Sequence, residues 1–160
     1  MFSPMGTPST PHPMPEAEVL PLGSADLIDC LTLDRLALGG LWSEEQWGKE
    51  LMEPKRPVVG VREQGRLLAL ASGWVVVDEL HITAVAVHPE ARRRGLGRRV
   101  LLGLLRQAQR AGAERATLEV SSANVSARAL YTSLGFSEVA IRRGYYRNGD
   151  DALIQWIKLE

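Results

Sequence analysis

The spacing of apolar positions changes repeatedly along the chain, and each change marks an element. Folded sequence begins near Val19. Leu27, Ile28, Leu31 and Leu36 fall at helical spacing behind Ser24 and Asp26, and Gly39-Gly40 ends that helix. A second helix starts at once: Ser43 and Gln46 have capping-box spacing, and Trp42 and Trp47 flank them as a hydrophobic staple would. It should stop before Pro54, because the residue ahead of a proline disfavours helical backbone. The pattern then turns β-rich. Pro57 to Arg62 and Leu67 to Val77 predict two strands joined by Glu63-Gln64-Gly65, and Leu80 to Val87 a third, closed by His88-Pro89.

From Gly95 the period is helical again, with Leu96, Val100, Leu101, Leu104, Leu105 and Ala108 as one apolar stripe and Gly112 at its end. Thr117 to Val120 predicts a strand, and Asn124 to Leu134 a helix closed by Gly135. Phe136 to Tyr146 and Asp151 to Leu159 predict a closing pair of strands. Two helices, three strands, helix, strand, helix and two strands describe an α/β sandwich around a mostly antiparallel sheet.

Composition narrows the class. A chain of 160 residues with 45% hydrophobic and 24% charged residues suits one soluble domain. Residues 1–15 hold five of the nine prolines and predict a disordered tail, leaving 16–160 as a single domain. One cysteine, Cys30, allows no internal disulfide. No apolar run is long enough to cross a membrane, and no basic-then-apolar leader is visible, so the expectation is a cytoplasmic protein without a membrane partner.

Charge is zero overall but unevenly spread. Glu16 to Glu53 carries nine acidic residues against Arg35 and Lys49, whereas Glu90 to Arg110 carries seven arginines against one glutamate. A basic stretch in a neutral chain points to a local anionic ligand more than to a nucleic-acid surface, and no aromatic ladder accompanies it. A solvated helix face gives the same charge run.

The glycines inside that run decide between the two. Val85-Ala86-Val87-His88-Pro89-Glu90-Ala91-Arg92-Arg93-Arg94-Gly95-Leu96-Gly97-Arg98 passes from strand through turn into a helix start. There, unpaired N–H groups and a partial positive charge favour phosphate oxygens. Gly95 and Gly97 let a pyrophosphate approach the backbone, while Arg92, Arg93, Arg94 and Arg98 add charge. The P-loop and dinucleotide patterns are both absent.

A second cluster follows. Leu118 and Val120 face one way along their strand and Glu119 the other. Asn124 and Tyr131, seven apart, share one helix face. Singly, Glu119 also fits a solvated strand position, Tyr131 a half-buried core position and Asn124 a plain cap.

Arg92-x-x-Gly95-x-Gly97 resembles the acetyl-CoA pyrophosphate motif of the Gcn5-related N-acetyltransferases. Leu80 to Glu160 is similar to the bacterial ribosomal-protein-alanine N-acetyltransferases within that superfamily. The resemblance is carried by Ala86-Val87-His88-Pro89, Arg93-Arg94-Gly95-Leu96-Gly97-Arg98, Leu118-Glu119-Val120, Tyr131-x-x-Leu134-Gly135-Phe136 and Arg142-Arg143-x-Tyr145-Tyr146. Leu41-Trp42-Ser43 echoes the family's Pro-Trp-Ser only faintly.

The resemblance implies a mixed, mostly antiparallel sheet with helices on both faces. It implies acetyl-CoA as donor, held by Val85, Ala86, Val87, Arg93 to Arg98 and Asn124. It also implies Glu119 as base, acting through a water, and Tyr131 as acid. The implied acceptor is a protein N-terminus, in that family the eighteenth small-subunit ribosomal protein. Trp42, Tyr145 and Tyr146 are expected at the acceptor site, although Trp42 equally fits a staple and the tyrosines a core. His81 and His88 read as strand-end residues, with no second ligand at metal spacing. An acetyltransferase for small amines or lysine side chains, and a non-catalytic acyl-CoA-binding module, remain as alternatives.

Overall fold

The computed structural model describes residues 18–160, so the expected tail at 1–15 lies outside the described residues. Six strands and four helices follow one another in the expected order, preceded by one unforeseen strand. That strand, β1 (Val19–Pro21), leads through a 3-10 turn at Ser24–Asp26 into α1 (Leu27–Leu38) and α2 (Glu44–Met52). A meander of β2 (Val58–Glu63), β3 (Arg66–Val76) and β4 (Glu79–Val87) comes next. Then α3 (Leu96–Arg110), β5 (Arg115–Ser121), α4 (Val125–Ser133), β6 (Ser137–Arg142) and β7 (Ala152–Lys158) complete the chain.

The strands form one sheet in the order β1-β2-β3-β4-β5-β7-β6, antiparallel except where β4 meets β5. Helices cover both faces. The stripe of α3, with Val100, Leu101, Leu104 and Ala108 fully buried, packs on Val59, Val61, Ala69, Leu118 and Val120. On the opposite face Cys30, Leu33, Trp47 and Leu51 from α1 and α2 cover Val58, Leu67, Leu70 and Ala86. Each fully buried aliphatic or aromatic side chain contributes about 1.5–3 kcal/mol relative to exposure. A glycine in mid-helix costs about 1 kcal/mol, yet Gly103 stands in α3 because a Cβ there would overlap the Val19 side chain of β1.

The feature that shapes the site is an irregularity in β4. Pairing with β3 steps from Ser72↔Ala84 to Gly73↔Ile82, leaving Thr83 as a bulge whose hydroxyl lies 2.9 Å from Ser72 Oγ. A bulge bends its strand and increases the local twist. Pairing with β5 stops just before it, after Glu79↔Arg115, Leu80↔Ala116 and His81↔Thr117. From Ile82 onward the two strands splay apart.

Candidate active site

The expected phosphate turn sits at the mouth of that splay. His88 begins it: its Nδ1 accepts from Glu90 N at 3.1 Å and its backbone N–H donates to Leu68 O at 2.7 Å. Arg93 and Gly95 both adopt left-handed backbone, with φ of 65° and 76°. The first bond inside α3 runs from Arg99 N to Gly95 O at 3.1 Å, so the helix itself does not use the N–H groups of Leu96, Gly97 and Arg98. A helix opening at Gly95 is what the sequence pattern predicted.

A cavity of about 630 Å³ opens there. Val85 and Val87 form one wall, and Arg92, Arg93 and Gly95 to Arg98 one end. Asn124, which caps α4, and Ala127, Leu130 and Tyr131 within it face them across the gap. The bond from His88 N to β3 fixes the alternation of β4: Val85 and Val87 turn their peptide groups away from β3, toward the edge that β5 has left. Gly97 lies where α3 passes close to both walls; a Cβ there would stand 3.5 Å from Val87 and 3.5 Å from Leu130.

Nine of the eleven residues expected around the donor therefore line this cavity. The other two do not. The Ala86 side chain is buried on the opposite face, beneath α1 and α2, and only its backbone runs past the gap. Arg94 points outward and pairs with Glu63. Arg98, although on the wall, also donates to Ser133 Oγ at 3.1 Å. Asn124 accepts from Ala127 N at 3.1 Å, so it caps α4 as well as facing the cavity.

Tyr131 is 9% exposed, and its ring centroid lies 5.8 Å from that of Phe136. Burial raises its pKa above the ordinary phenol value, and the neighbouring Tyr146 adds to the shift. Glu119 does not line the cavity. It stands on the other face of β5, 40% exposed at its side chain, with Arg142 Nη1 3.9 Å from its carboxylate. Tyr146 links the two: burial raises its pKa first, then the Glu119 charge, then Tyr145. Glu119, Tyr146 and Tyr131 thus lie in one electrostatic neighbourhood.

The closing strand ends earlier than the apolar pattern predicts. Tyr145 and Tyr146 are on a turn, not a strand, because β6 stops at Arg142 and Gly144 takes a φ of 60°. Gly144 N donates to Asp151 Oδ1 at 2.9 Å, and Tyr146 N to Asp150 O at 3.1 Å. The two rings meet edge-on at 5.2 Å, with the Arg142 guanidinium 5.5 Å from the Tyr145 ring.

Trp42 lies edge-on to Trp47 at 4.7 Å, as a staple does, and is absent from the cavity wall. What holds it is Asp34, fully buried, which accepts from Leu41 N (2.7 Å), Trp42 N (3.0 Å) and Trp47 Nε1 (2.8 Å). Asp34 is not among the residues the sequence pattern singles out, although a carboxylate on the buried stripe of α1, at helical spacing from Cys30 and Leu31, marks it. Nor are Ala37 and Leu38, which bring the last turn of α1 to the cavity.

An edge of unpaired backbone, a helix start and a buried phenol around a splayed sheet define an acyltransferase of the GNAT type. The sequence model of the acetyltransferase (GNAT) family matches residues 27–136, and the chain belongs to that family. It is 35% identical over 136 residues to the [ribosomal protein bS18]-alanine N-acetyltransferase of Escherichia coli K12, covering 83% of this chain and 91% of that one. Against the N-alpha-acetyltransferase RimI of Mycobacterium tuberculosis identity is 37% over 138 residues, with 82% and 85% covered. The crystal structure of the ribosomal-protein-S18-alanine N-acetyltransferase from Escherichia coli superposes with a TM-score of 0.81 at 32% identity, covering 89% of this chain and 93% of that one. Among the described residues, no helix is long and apolar enough to cross a membrane.

Proposed function

We propose that the chain transfers acetyl from acetyl-CoA to the N-terminal α-amine of a protein, and that the acceptor is the ribosomal protein bS18 with an N-terminal alanine. The observation that carries this is the slit itself. On one side it offers an unpaired β4 edge and a cationic helix start; beside it lie a buried phenol and a carboxylate on the opposite face of β5. The bS18-alanine N-acetyltransferase of Escherichia coli supports this acceptor, and the N-alpha-acetyltransferase of Mycobacterium tuberculosis supports the α-amine.

Each residue then has a task. The N–H groups at the start of α3, with Arg92, Arg93 and Arg98, suit the donor's pyrophosphate, and the peptide groups of Val85 and Val87 suit the pantetheine amides. An α-amine has a pKa near ~8, so at neutral pH most of it carries a proton and cannot attack. Glu119 takes that proton through a water. The free amine adds to the thioester carbonyl, whose developing oxyanion is met by a β4 N–H. The C–S bond breaks, Tyr131 gives its proton to the departing thiolate, and the proton that the nitrogen sheds as it becomes an amide restores the phenol. Transfer is direct, so Cys30 has no chemical part. Burial and the Asp26 charge push its thiol up to about 12. A ribosomal acceptor places the protein in the cytoplasm.

The test is a panel of peptides incubated with acetyl-CoA, following CoA release and locating the acetyl group by mass. One peptide copies the host's own bS18 N-terminus. Others begin with Ala, Ser, Met or Lys, and one has a blocked N-terminus and a free lysine. Acetylation of the α-amine with preference for the bS18 peptide is expected. Transfer to the lysine alone would overturn the reading.

A further inference from the structure

The register of the sheet lays a row of side chains across five strands on the face that carries Glu119. Trp74 pairs with His81, His81 with Thr117, Thr117 with Trp156, and Trp156 with Ser137. The indoles remain substantially exposed, Trp74 at 42% and Trp156 at 38%. On this face α1 and α2 cover residues of β2, β3 and β4, and the β5-β7-β6 half is open.

The row forms a trough. His81 with Trp74 is one wall and Trp156 the other, two strand spacings or roughly 9–10 Å apart. The floor is Thr117, whose hydroxyl donates to Gln155 O at 3.1 Å and is therefore committed. The first wall is held in place. Glu50, 1% exposed at its side chain, accepts from Arg56 Nη1 at 2.8 Å, and the Arg56 guanidinium lies 4.5 Å from the Trp74 ring. Glu79 lies 3.0 Å from His81 Nε2. A large apolar side chain on a surface, fixed by a buried carboxylate at one remove, is built to meet something.

Continuity with Glu119 says what. Thr117 and Glu119 are two positions apart on one face of β5, roughly 7 Å. In the other direction the face is closed by the β6–β7 turn, where Ser121 Oγ donates to Asp150 Oδ2 at 3.1 Å. A chain with its amine at Glu119 leaves along β5, over Thr117, and about two residues of extended backbone bring its third residue between the walls.

Resting on the acceptor reading above, we propose that the trough of His81, Thr117 and Trp156 receives the third residue of the acceptor and selects an apolar side chain there. The test compares an alanyl dipeptide amide with hexapeptides that share its first two residues and carry Leu or Asp third. The wild type is expected to favour Leu over Asp about tenfold in kcat/KM. Trp156→Ala should abolish that preference while leaving dipeptide kinetics and the KM for acetyl-CoA unchanged. Trp156→Phe should retain it, and Trp74→Ala should weaken it from the opposite wall. No preference in the wild type, or equal losses on dipeptide and hexapeptide, would overturn the trough. No acetylation of any α-amine by the wild type would instead overturn the acceptor reading beneath it.

Discussion

Glu119 and Tyr131 have environments that differ as their proposed roles require. Glu119 is open to water and to Arg142, whereas Tyr131 is enclosed. Glu119→Gln keeps the shape and loses the base, so kcat for peptide acetylation should fall by about 10²–10⁴-fold with acetyl-CoA affinity unchanged by calorimetry. A smaller loss would move the base elsewhere. For Tyr131 the neutral phenol is the useful form. Its folded pKa lies above the unfolded value near ~10, so its contribution to stability is complete below ~10 and is lost as pH rises through the folded value. The alkaline limb of the kcat profile follows the same group. Tyr131→Phe should slow transfer and remove that limb; a normal rate would leave Tyr131 structural. Both residues could be picked out in the sequence through the resemblance to the acetyltransferases, since singly each also fits an ordinary position on a strand or a helix. Their relation to Tyr146 could not, since it depends on a turn set by the backbone of Gly144.

The α1–α2 connection depends on one buried carboxylate. Asp34 satisfies three N–H donors, and the loop it holds follows directly on Ala37 and Leu38 of the cavity wall. Asp34→Ala strands those donors and should cost about 3 kcal/mol, read from urea unfolding; Asp34→Asn, which keeps an accepting oxygen, should cost less. Elements with a long period were legible in the sequence. The α3 stripe was named residue for residue, and the three helices expected to end at glycines close within two residues of them. β1 was not, because three residues carry no period and the strand exists only through its pairing with β2 and the space at Gly103. The Thr83 bulge was equally hidden: Ile82-Thr83-Ala84 reads as ordinary strand, and only pairing with β3 shows that one residue too many is present.

Considered whole, the molecule is two half-sheets, β1 to β4 and β5 to β7, meeting at three residue pairs. A donor lying in the slit touches both halves. Binding to the folded state alone should therefore stabilise the protein by about 2.7 kcal/mol at a hundredfold excess over Kd, raising Tm by roughly 5–10 °C. Scanning calorimetry with and without CoA measures this, and an unchanged Tm would argue against the cavity as the donor site.

Three pairs at one end of a nine-residue strand also make a lever. From His81 to Val87 the stretch of β4 that β5 leaves is about 20 Å long, so a tilt of about 5° between the half-sheets at the joint moves its tip by about 1.7 Å relative to β5. Side chains at the joint therefore set the width at the tip. Arg115, which bonds Asp78 and Glu79 at 3.1 Å each across it, touches no cavity wall. Arg115→Ala should raise the KM for acetyl-CoA several-fold, and an unchanged KM would show the joint to be stiff without it. The reach of the active site thus extends to the far end of β4 and β5, where a change in angle becomes a change in gap.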